Sequence, residues 1–342
     1  MRTTVIVTAS LLLAVVACGS ESWTTVTTET EKRLPGNEIQ FLENGSDGRV
    51  WIGTRSGLCY YKDGAFTLIE KKSGKKLHME AWDVLEIADG DFWIGHGGGA
   101  THVHDGKIES SLRGNTVAPI VRFGDAALWA IAKNRGSERN ALYQCSDGTW
   151  SKVARFEKKR IVDLFQAADG TVWLTIEGNG VYEVDPRKGV DATVHHLEGL
   201  NVTAVGEDPK GRLWCGLWGR GIQSYDGQAW KAYLPKEKGA VLRIVADKDG
   251  AVYATTDRGC LWRFDGTNWR KELKDEGMIH LLEATSDGSV WVNSQDVEGL
   301  RRRAGDSWKV VFESPLPIRC VLRARDGTVF AGGILDGLHM RK

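Results

Sequence analysis

The sequence predicts an all-β protein in which eight similar units form a single closed ring. Three observations support this fold class: a repeat of roughly forty residues, turn signals at fixed places in each repeat, and two chain ends that complement each other.

One pattern recurs eight times between residues 37 and 342: an apolar run, an Asp-Gly turn, a run with an aromatic residue, a Gly-rich turn and a third run. Clear copies are SDGRVWIGTRSGL at 46–58, ADGTVWLTIEGNGV at 168–181 and RDGTVFAGGILDGL at 325–338. The third copy, GDAALWAIAKNRG at 124–136, is degenerate. A period of this length is typical of propellers, solenoids and arrays.

Turn signals divide each unit into four short strands. Asp-Gly is preferred in two-residue hairpin turns, because these turns need positive φ angles. A four-stranded meander cannot bury both of its faces alone, and radial stacking of such sheets gives a β-propeller. We expect eight blades, or seven if the third copy is an insertion. The predicted blades are 37–77, 80–114, 116–157, 160–199, 201–238, 240–276, 278–316, and 318–342 with 23–33.

The two ends of the chain complement each other. The eighth unit lacks a fourth strand, while the segment from residue 21 resembles the fourth strands of other units. Trp23 then corresponds to tryptophans of those strands, namely Trp150, Trp230, Trp269 and Trp308. The N-terminal strand is therefore predicted to complete the last blade and leave no open sheet edge.

The tryptophans occupy repeated positions. Of the fourteen tryptophans, six fall on the second strands: Trp51, Trp93, Trp129, Trp173, Trp214 and Trp291. A large ring at the same place in each blade fills the space between neighbouring sheets. We interpret these side chains as core.

Charge and cysteine content exclude several classes of protein. Forty-five basic and forty-five acidic residues cancel, so no nucleic-acid partner is expected. Five cysteines lie in different units without metal-finger spacing, which favours packing as small apolar residues: Cys59, Cys145, Cys215, Cys260 and Cys320. No cofactor is expected, since catalytic and phosphate-binding motifs are absent from the sequence.

The first residues resemble an export signal. Residues 1–17 contain Arg2 and an apolar stretch too short to span a bilayer as a stable anchor. VVAC at 15–18 resembles the bacterial lipobox, which would make Cys18 a lipidated residue followed by a tether over 18–22. A plain cleaved signal is the alternative. We expect an exported envelope protein, periplasmic or anchored to the outer membrane.

The repeat resembles a known family. SDGRVWIGTRSGLCYYKDGAF at 46–66 is similar to the two-component regulator propeller repeat, and the likeness extends over most of the chain. Such repeats occur in periplasmic sensor regions of hybrid histidine kinases, so the resemblance implies a propeller fold and a recognition role. No kinase or DNA-binding segment is evident, so we expect a stand-alone sensor or recognition module.

Candidate binding residues lie in turns between second and third strands. These turns and the connections between blades are expected at the mouth of the central channel. Unlike the repeated tryptophans, the residues there differ between blades: Arg55, His96, Trp218, Arg220, Asp257 and Arg258. Trp218 suits stacking on a ligand, and packing across its own turn is the alternative. We expect the partner to be a small molecule, a glycan or an envelope protein.

Two further hypotheses concern chemistry. His96, His102 and His104 lie within one hairpin and are weak candidates for a metal site, with solvated polar positions as the alternative. A propeller enzyme resembling the streptogramin lyases is the rival function, with His280 and Glu283 as candidate residues. Both fall on an inner strand, where packing explains them equally well.

Overall fold

The computed structural model describes residues 22–70, 79–105, 107–124, 127–134, 140–156, 159–234, 237–274 and 276–342. These residues form eight antiparallel sheets of four strands each, which confirms eight blades rather than seven. The described residues also form two short 3₁₀ helices, Ala154–Phe156 and Val190–Ala192. The predicted signal at 1–17, Cys18 and most of the tether lie outside the described residues.

The strands, in chain order, are β1 (Thr24–Val26), β2 (Ile39–Asn44), β3 (Val50–Thr54), β4 (Gly57–Lys62), β5 (Ala65–Leu68), β6 (Ala81–Ala88), β7 (Asp91–His96), β8 (Gly99–His104), β9 (Lys107–Ser111), β10 (Asn115–Phe123), β11 (Ala127–Asn134), β12 (Asn140–Ser146), β13 (Thr149–Lys152), β14 (Ile161–Gln166), β15 (Val172–Ile176), β16 (Val181–Val184), β17 (Val194–His196), β18 (Val202–Glu207), β19 (Leu213–Leu217), β20 (Gly221–Tyr225), β21 (Trp230–Tyr233), β22 (Val241–Ala246), β23 (Val252–Thr256), β24 (Leu261–Phe264), β25 (Trp269–Leu273), β26 (Ile279–Ala284), β27 (Val290–Ser294), β28 (Leu300–Ala304), β29 (Ser307–Phe312), β30 (Ile318–Arg323), β31 (Val329–Gly333) and β32 (Leu338–Arg341).

Blades 1 to 7 each take four consecutive strands, starting from β2, and blade 8 has the order β30, β31, β32, β1. The first strand of each blade is the inner strand. Neighbouring inner strands contact one another in a closed circle: β2, β6, β10, β14, β18, β22, β26 and β30. These eight strands form the wall of the central channel.

The Asp-Gly turns are of two kinds, and the prediction holds for one of them. Between third and fourth strands of blade 1, Asp63 (φ 49°) and Gly64 (φ 85°) form the expected two-residue turn between the paired residues Lys62 and Ala65. Between first and second strands the loop is one residue longer. There Gly45 N–H bonds to Arg49 O at 2.8 Å and only Gly48 has positive φ, at 86°.

This longer loop is the three-residue hairpin that ends in a glycine bulge. It accounts for the aspartate: Asp47 accepts a hydrogen bond from Arg49 N–H at 3.1 Å, and Asp326 accepts one from Thr328 N–H at 2.9 Å. A short carboxylate that bonds its own backbone two residues on stabilises such a turn.

The N-terminal strand closes the ring as predicted. Strand β1 pairs antiparallel with β32, with Thr25 opposite His339. Trp23 donates its indole N–H to Val311 O of blade 7 at 2.9 Å and packs on Phe312, with ring centroids 5.1 Å apart. The N-terminal segment therefore completes blade 8 and also binds it to blade 7.

Second-strand tryptophans lie between blades, as the sequence predicts. Trp51 is fully buried and packs on Phe92 of the next blade at 4.7 Å, and Trp214 packs on Phe264 of the next blade at 5.2 Å. The five described cysteines are free thiols, four of them buried, in agreement with a packing role. The core is thus a series of apolar clusters, one at each junction between blades.

We predict that removal of residues 22–33 lowers the melting temperature by about 5–10 °C, because it exposes the β32 edge and removes the Trp23 packing. Calorimetry of the mature protein with and without this segment measures the effect. A protein lacking only residues 1–21 is the control. An unchanged melting temperature after removal of 22–33 would contradict the role of β1.

Candidate functional site

The turns after the second strands and the connections between blades lie on one end of the ring, which we call the upper face. In seven blades a backbone hydrogen bond joins the turn to the connection. The first residue after the second strand donates its N–H to the carbonyl oxygen of the residue that precedes the inner strand. The pairs are Arg55 with Glu38, Gly97 with Glu80, Glu177 with Arg160, Trp218 with Asn201, Asp257 with Ala240, Gln295 with Met278, and Ile334 with Pro317, at 2.8–3.2 Å. The upper face is therefore a rigid frame.

Trp218 is the most exposed aromatic residue on this face. Its side chain is 59% exposed, while its backbone is fixed by the bond to Asn201 O at 2.9 Å and by a bridge to Ala240. The ring therefore does not pack across its own turn. An exposed ring on a fixed backbone can stack on a partner with little loss of conformational freedom.

Cations surround this tryptophan. Arg220, Lys238 and Arg258 are exposed, and within the described part of the chain none of them forms an ion pair. The Arg258 stem passes 3.3 Å from the position that a Cβ would occupy at Gly239, so it lies over the connection between blades 5 and 6. Arg220 follows Trp218 in the same turn, and Lys238 and Arg258 lie at the connection that pairs with Trp218 and Gly219; we call these four residues the patch around Trp218.

Asp257, a predicted binding residue, is bonded to the connection between blades 5 and 6. Its carboxylate accepts the Ala240 N–H at 3.0 Å, and its own N–H bonds to Ala240 O at 3.0 Å. The carboxylate thereby fixes the connection between blades 5 and 6. Asp257 thereby supports the patch around Trp218, and its Oδ1 atom is occupied by the hydrogen bond from Ala240.

Arg55 and His96 differ in exposure. Arg55 is exposed but pairs with Glu38 at 3.2 Å and with Glu80 at 3.8 Å. His96 is buried: Nε2 bonds to Thr101 Oγ1 at 3.0 Å and Nδ1 accepts the Gly98 N–H at 3.0 Å. Burial lowers the pKa of His96 and favours the neutral ring. His96 stabilises its turn and does not belong to the exposed surface.

His102 and His104 share a face of β8, as alternation predicts, and their rings stack at 4.3 Å. His102 also stacks on Trp93 at 4.3 Å, and its Nε2 lies 2.7 Å from Asp91 Oδ1. His96 bonds within its own turn, apart from this stack. Over the described ranges, no group of three or more His, Cys, Asp or Glu side chains is arranged to hold a metal ion.

Exposed apolar side chains concentrate on the upper face. The described residues include eight large apolar side chains that are exposed, and two of them, Val194 and Val310, lie on outer strands. The other six lie at the upper ends of inner strands, in the turns after second strands or in a connection: Trp82, Val162, Trp218, Leu242, Met278 and Leu335. Except for Trp218, the sequence analysis did not select these residues. The feature of the sequence that could have identified them is an apolar residue at the second position of an inner strand or in a turn.

Two inner strands carry a carboxylate at their third position. Asp83 of β6 accepts N–H bonds from Val84 at 2.9 Å and from Ile120 of the next blade at 2.6 Å. Burial nevertheless raises the pKa of Asp83 to about 7. Asp163 holds the same position in β14, and burial raises its pKa too. A charged residue within an apolar inner-strand run is the sequence signal that predicts such inner-strand carboxylates.

A cavity of about 570 Å³ occupies the channel beside blades 1, 6, 7 and 8. Glu43, Glu283, Arg243 and Arg319 contribute charged groups to its wall. Burial raises the pKa of both Glu43 and Glu283, and for Glu283 the nearby Arg243 opposes that rise. Glu283 lines this cavity. The rival enzyme hypothesis pairs Glu283 with His280, which is not among the lining residues of the cavity.

The sequence carries a recognised repeat. Residues 33–56 match the family model described as the two-component regulator propeller. The chain thus contains the repeat that its sequence predicted. A comparison with curated protein sequences gave no match.

Solved structures share the fold. Virginiamycin B lyase from Staphylococcus aureus is 9% identical with a TM-score of 0.57, over 93% of this chain and 98% of that one. PorZ, a surface component of the type-IX secretion system of Porphyromonas gingivalis, is 16% identical with a TM-score of 0.56, over 89% of this chain and 46% of PorZ.

The extracellular domain of the putative one-component system BT4673 from B. thetaiotaomicron is 16% identical with a TM-score of 0.39, over 91% of this chain. This chain spans 54% of that domain's length. The likeness to virginiamycin B lyase and to PorZ concerns the fold alone.

The raised pKa of Asp83 predicts a pH dependence of stability. An acid with a higher pKa in the folded state binds more protons when folded, so its contribution to the free energy of unfolding falls as the pH rises from about 4 to about 7. Asp83→Asn should therefore gain stability relative to wild type over that range, measured by urea unfolding.

Asp226 provides a control of opposite sign. Hydrogen bonds from Ala229 and Gln228 lower its pKa, so its contribution is present above about pH 4 and is lost as the pH falls. Asp226→Asn should lose stability relative to wild type as the pH rises through that region. A constant difference between wild type and Asp83→Asn from pH 4 to 7 would contradict the account of Asp83.

Proposed function

We propose that this protein is a recognition module that binds a polypeptide partner at the upper face of its propeller. The observation that carries the proposal is the concentration of six of the eight exposed large apolar side chains on that face. Exposed apolar groups that share one face favour an interaction site on that face, whereas single scattered ones need no explanation.

The composition of the face favours a polypeptide over a glycan. Val162, Leu242, Met278 and Leu335 are aliphatic or thioether side chains, which bury apolar area but offer no planar ring or polar atom to a sugar. Aromatic residues, Met and Arg are enriched at protein interfaces, and Trp218 lies beside two arginines. The rigid frame also lowers the entropic cost of association.

Catalysis has less support. The fold likeness to virginiamycin B lyase exists at 9% identity, and it conveys no catalytic residue to this chain. His280 and Glu283 both lie on inner strand β26, where Glu283 faces the channel cavity. We therefore assign the upper face to binding.

Site-specific cross-linking tests this function. A photo-reactive amino acid in place of Trp218 or Met278 should capture a polypeptide in cells of the source organism, while the same group in place of Val194 or Val310 should not. The two control positions are apolar sites on outer strands that are 49% and 47% exposed, against 59% for Trp218 and 56% for Met278. Equal cross-linking from both sets, or none from the upper face, would contradict the proposal.

Alanine variants separate binding from folding. Trp218→Ala and Leu242→Ala should weaken capture and change the free energy of unfolding by no more than about 0.5 kcal/mol. Trp173→Ala, in the core, should cost about 3–5 kcal/mol. A Trp218→Ala protein as unstable as Trp173→Ala would show that Trp218 is a folding residue.

We also propose that the protein is exported and attached to a membrane through a lipid on Cys18. The support is the signal-like segment at 1–17 and the VVAC sequence at 15–18. PorZ, which shares the fold, is itself a bacterial surface component. In the described part of the chain, no helix has the length and apolarity needed to cross a bilayer.

Lipid attachment predicts that the wild-type protein fractionates with membranes and that its N-terminal peptide carries the mass of acyl chains on Cys18. Cys18→Ala should abolish both results, and Ser20→Ala should change neither. An unlipidated N-terminal peptide from wild-type protein in the soluble fraction would contradict the proposal.

A further inference from the structure

The channel cavity contains charged groups that the protein leaves without direct partners. Among the described residues, Arg243, Glu43 and Glu283 form no hydrogen bond or ion pair through their side chains, although all three line the same cavity. Glu283 is influenced by both Arg243 and Glu43, so the three groups lie close enough to interact electrostatically. Other arginines of the cavity are neutralised: Arg323 pairs with Asp287 at 3.2 Å and Arg319 lies 3.7 Å from Glu38.

These groups are arranged with opposite signs along the channel axis. Arg243 is the third residue of β22 and pairs with Thr255, while Glu43 and Glu283 are the fifth residues of β2 and β26 and pair with the repeated tryptophans Trp51 and Trp291. Because inner strands run downward from the upper face, the arginine lies above the two carboxylates. Two residues of strand separate these levels by about 6–7 Å.

Arg243, Glu43 and Glu283 thus present two carboxylates and one guanidinium to the same cavity, and burial raises the pKa of both carboxylates. A ligand with an anionic end toward Arg243 and a cationic end toward Glu43 and Glu283 would provide charge-assisted hydrogen bonds at both levels.

We propose that the channel cavity is a binding site for a short zwitterion of the dipeptide class, with its carboxylate on Arg243 and its ammonium group between Glu43 and Glu283. An extended dipeptide spans about 7 Å, which matches the separation of the two levels. A cavity of about 570 Å³ lies within the range of small-molecule sites in proteins. This site is separate from the upper face, so it goes beyond the recognition function proposed above.

Titration calorimetry with blocked peptides tests the proposal. Alanyl-alanine should bind at pH 7. N-acetyl-alanyl-alanine, which lacks the ammonium group, and alanyl-alanine amide, which lacks the carboxylate, should each bind about tenfold more weakly or worse. Equal affinity of free and blocked peptides, or no binding of alanyl-alanine at 10 mM (roughly the weakest affinity of interest), would overturn the proposal.

Single substitutions assign each end. Glu283→Gln should remove the preference for a free ammonium group and keep the preference for a free carboxylate, and Arg243→Gln should do the reverse. Glu198→Gln, an exposed carboxylate in the connection between blades 4 and 5, is the matched control and should change neither preference. Circular dichroism checks that each variant is folded. If both cavity variants bound like the control, the site would be wrong, and the upper-face proposal would stand unaffected.

Discussion

Burial of both faces of every four-stranded sheet is the constraint on which the rest of this protein depends. No blade can satisfy it alone, since each exposes a second apolar face once its own turns have formed. Trp51 and Trp214 show the solution: each fills the gap to the next blade, against Phe92 and Phe264. The same junction is repeated around the circle, and the last blade still needs a fourth strand. The N-terminal segment supplies it: the pairing of β1 with β32 completes that blade and closes the ring.

This circular packing also fixes the functional surfaces. Because the register of each inner strand is set by its pairing with a second strand, side chains at the same strand position lie at the same height along the channel axis. Asp83 and Asp163 share one height and Glu43 and Glu283 share another. Variation among blades at these heights generates an asymmetric interior inside a nearly symmetric scaffold. The Trp218 patch arises in the same way on the upper face.

The sequence could predict the parts of the molecule that repeat. Period, turn signals and complementary ends were sufficient for eight blades, for the buried tryptophans and for the closing strand. Side chains that occur once were harder to place. His96 looked accessible in its turn, but its contact with Thr101 depends on hairpin register, which spacing alone does not determine. Asp257 accepts an N–H from Ala240, in a connection seventeen residues earlier, and the repeat pattern alone does not predict this pairing. Arg243 and Glu43 belong to blades 6 and 1 and share a cavity because the ring curves until these blades face the same channel. The sequence of a single repeat does not show this curvature.

Closure by the N-terminal strand has a consequence for biogenesis. Thr25 and His339, opposite one another in the last blade, are 314 residues apart in the chain. The contact that closes the ring is therefore among the most distant in sequence, and such contacts are slow to form because of the entropy of bringing remote segments together. During synthesis the first strand must wait until the final strand has emerged, since β32 is its neighbour in the sheet. A chain interrupted anywhere before β32 therefore leaves β1 without its neighbour in the sheet.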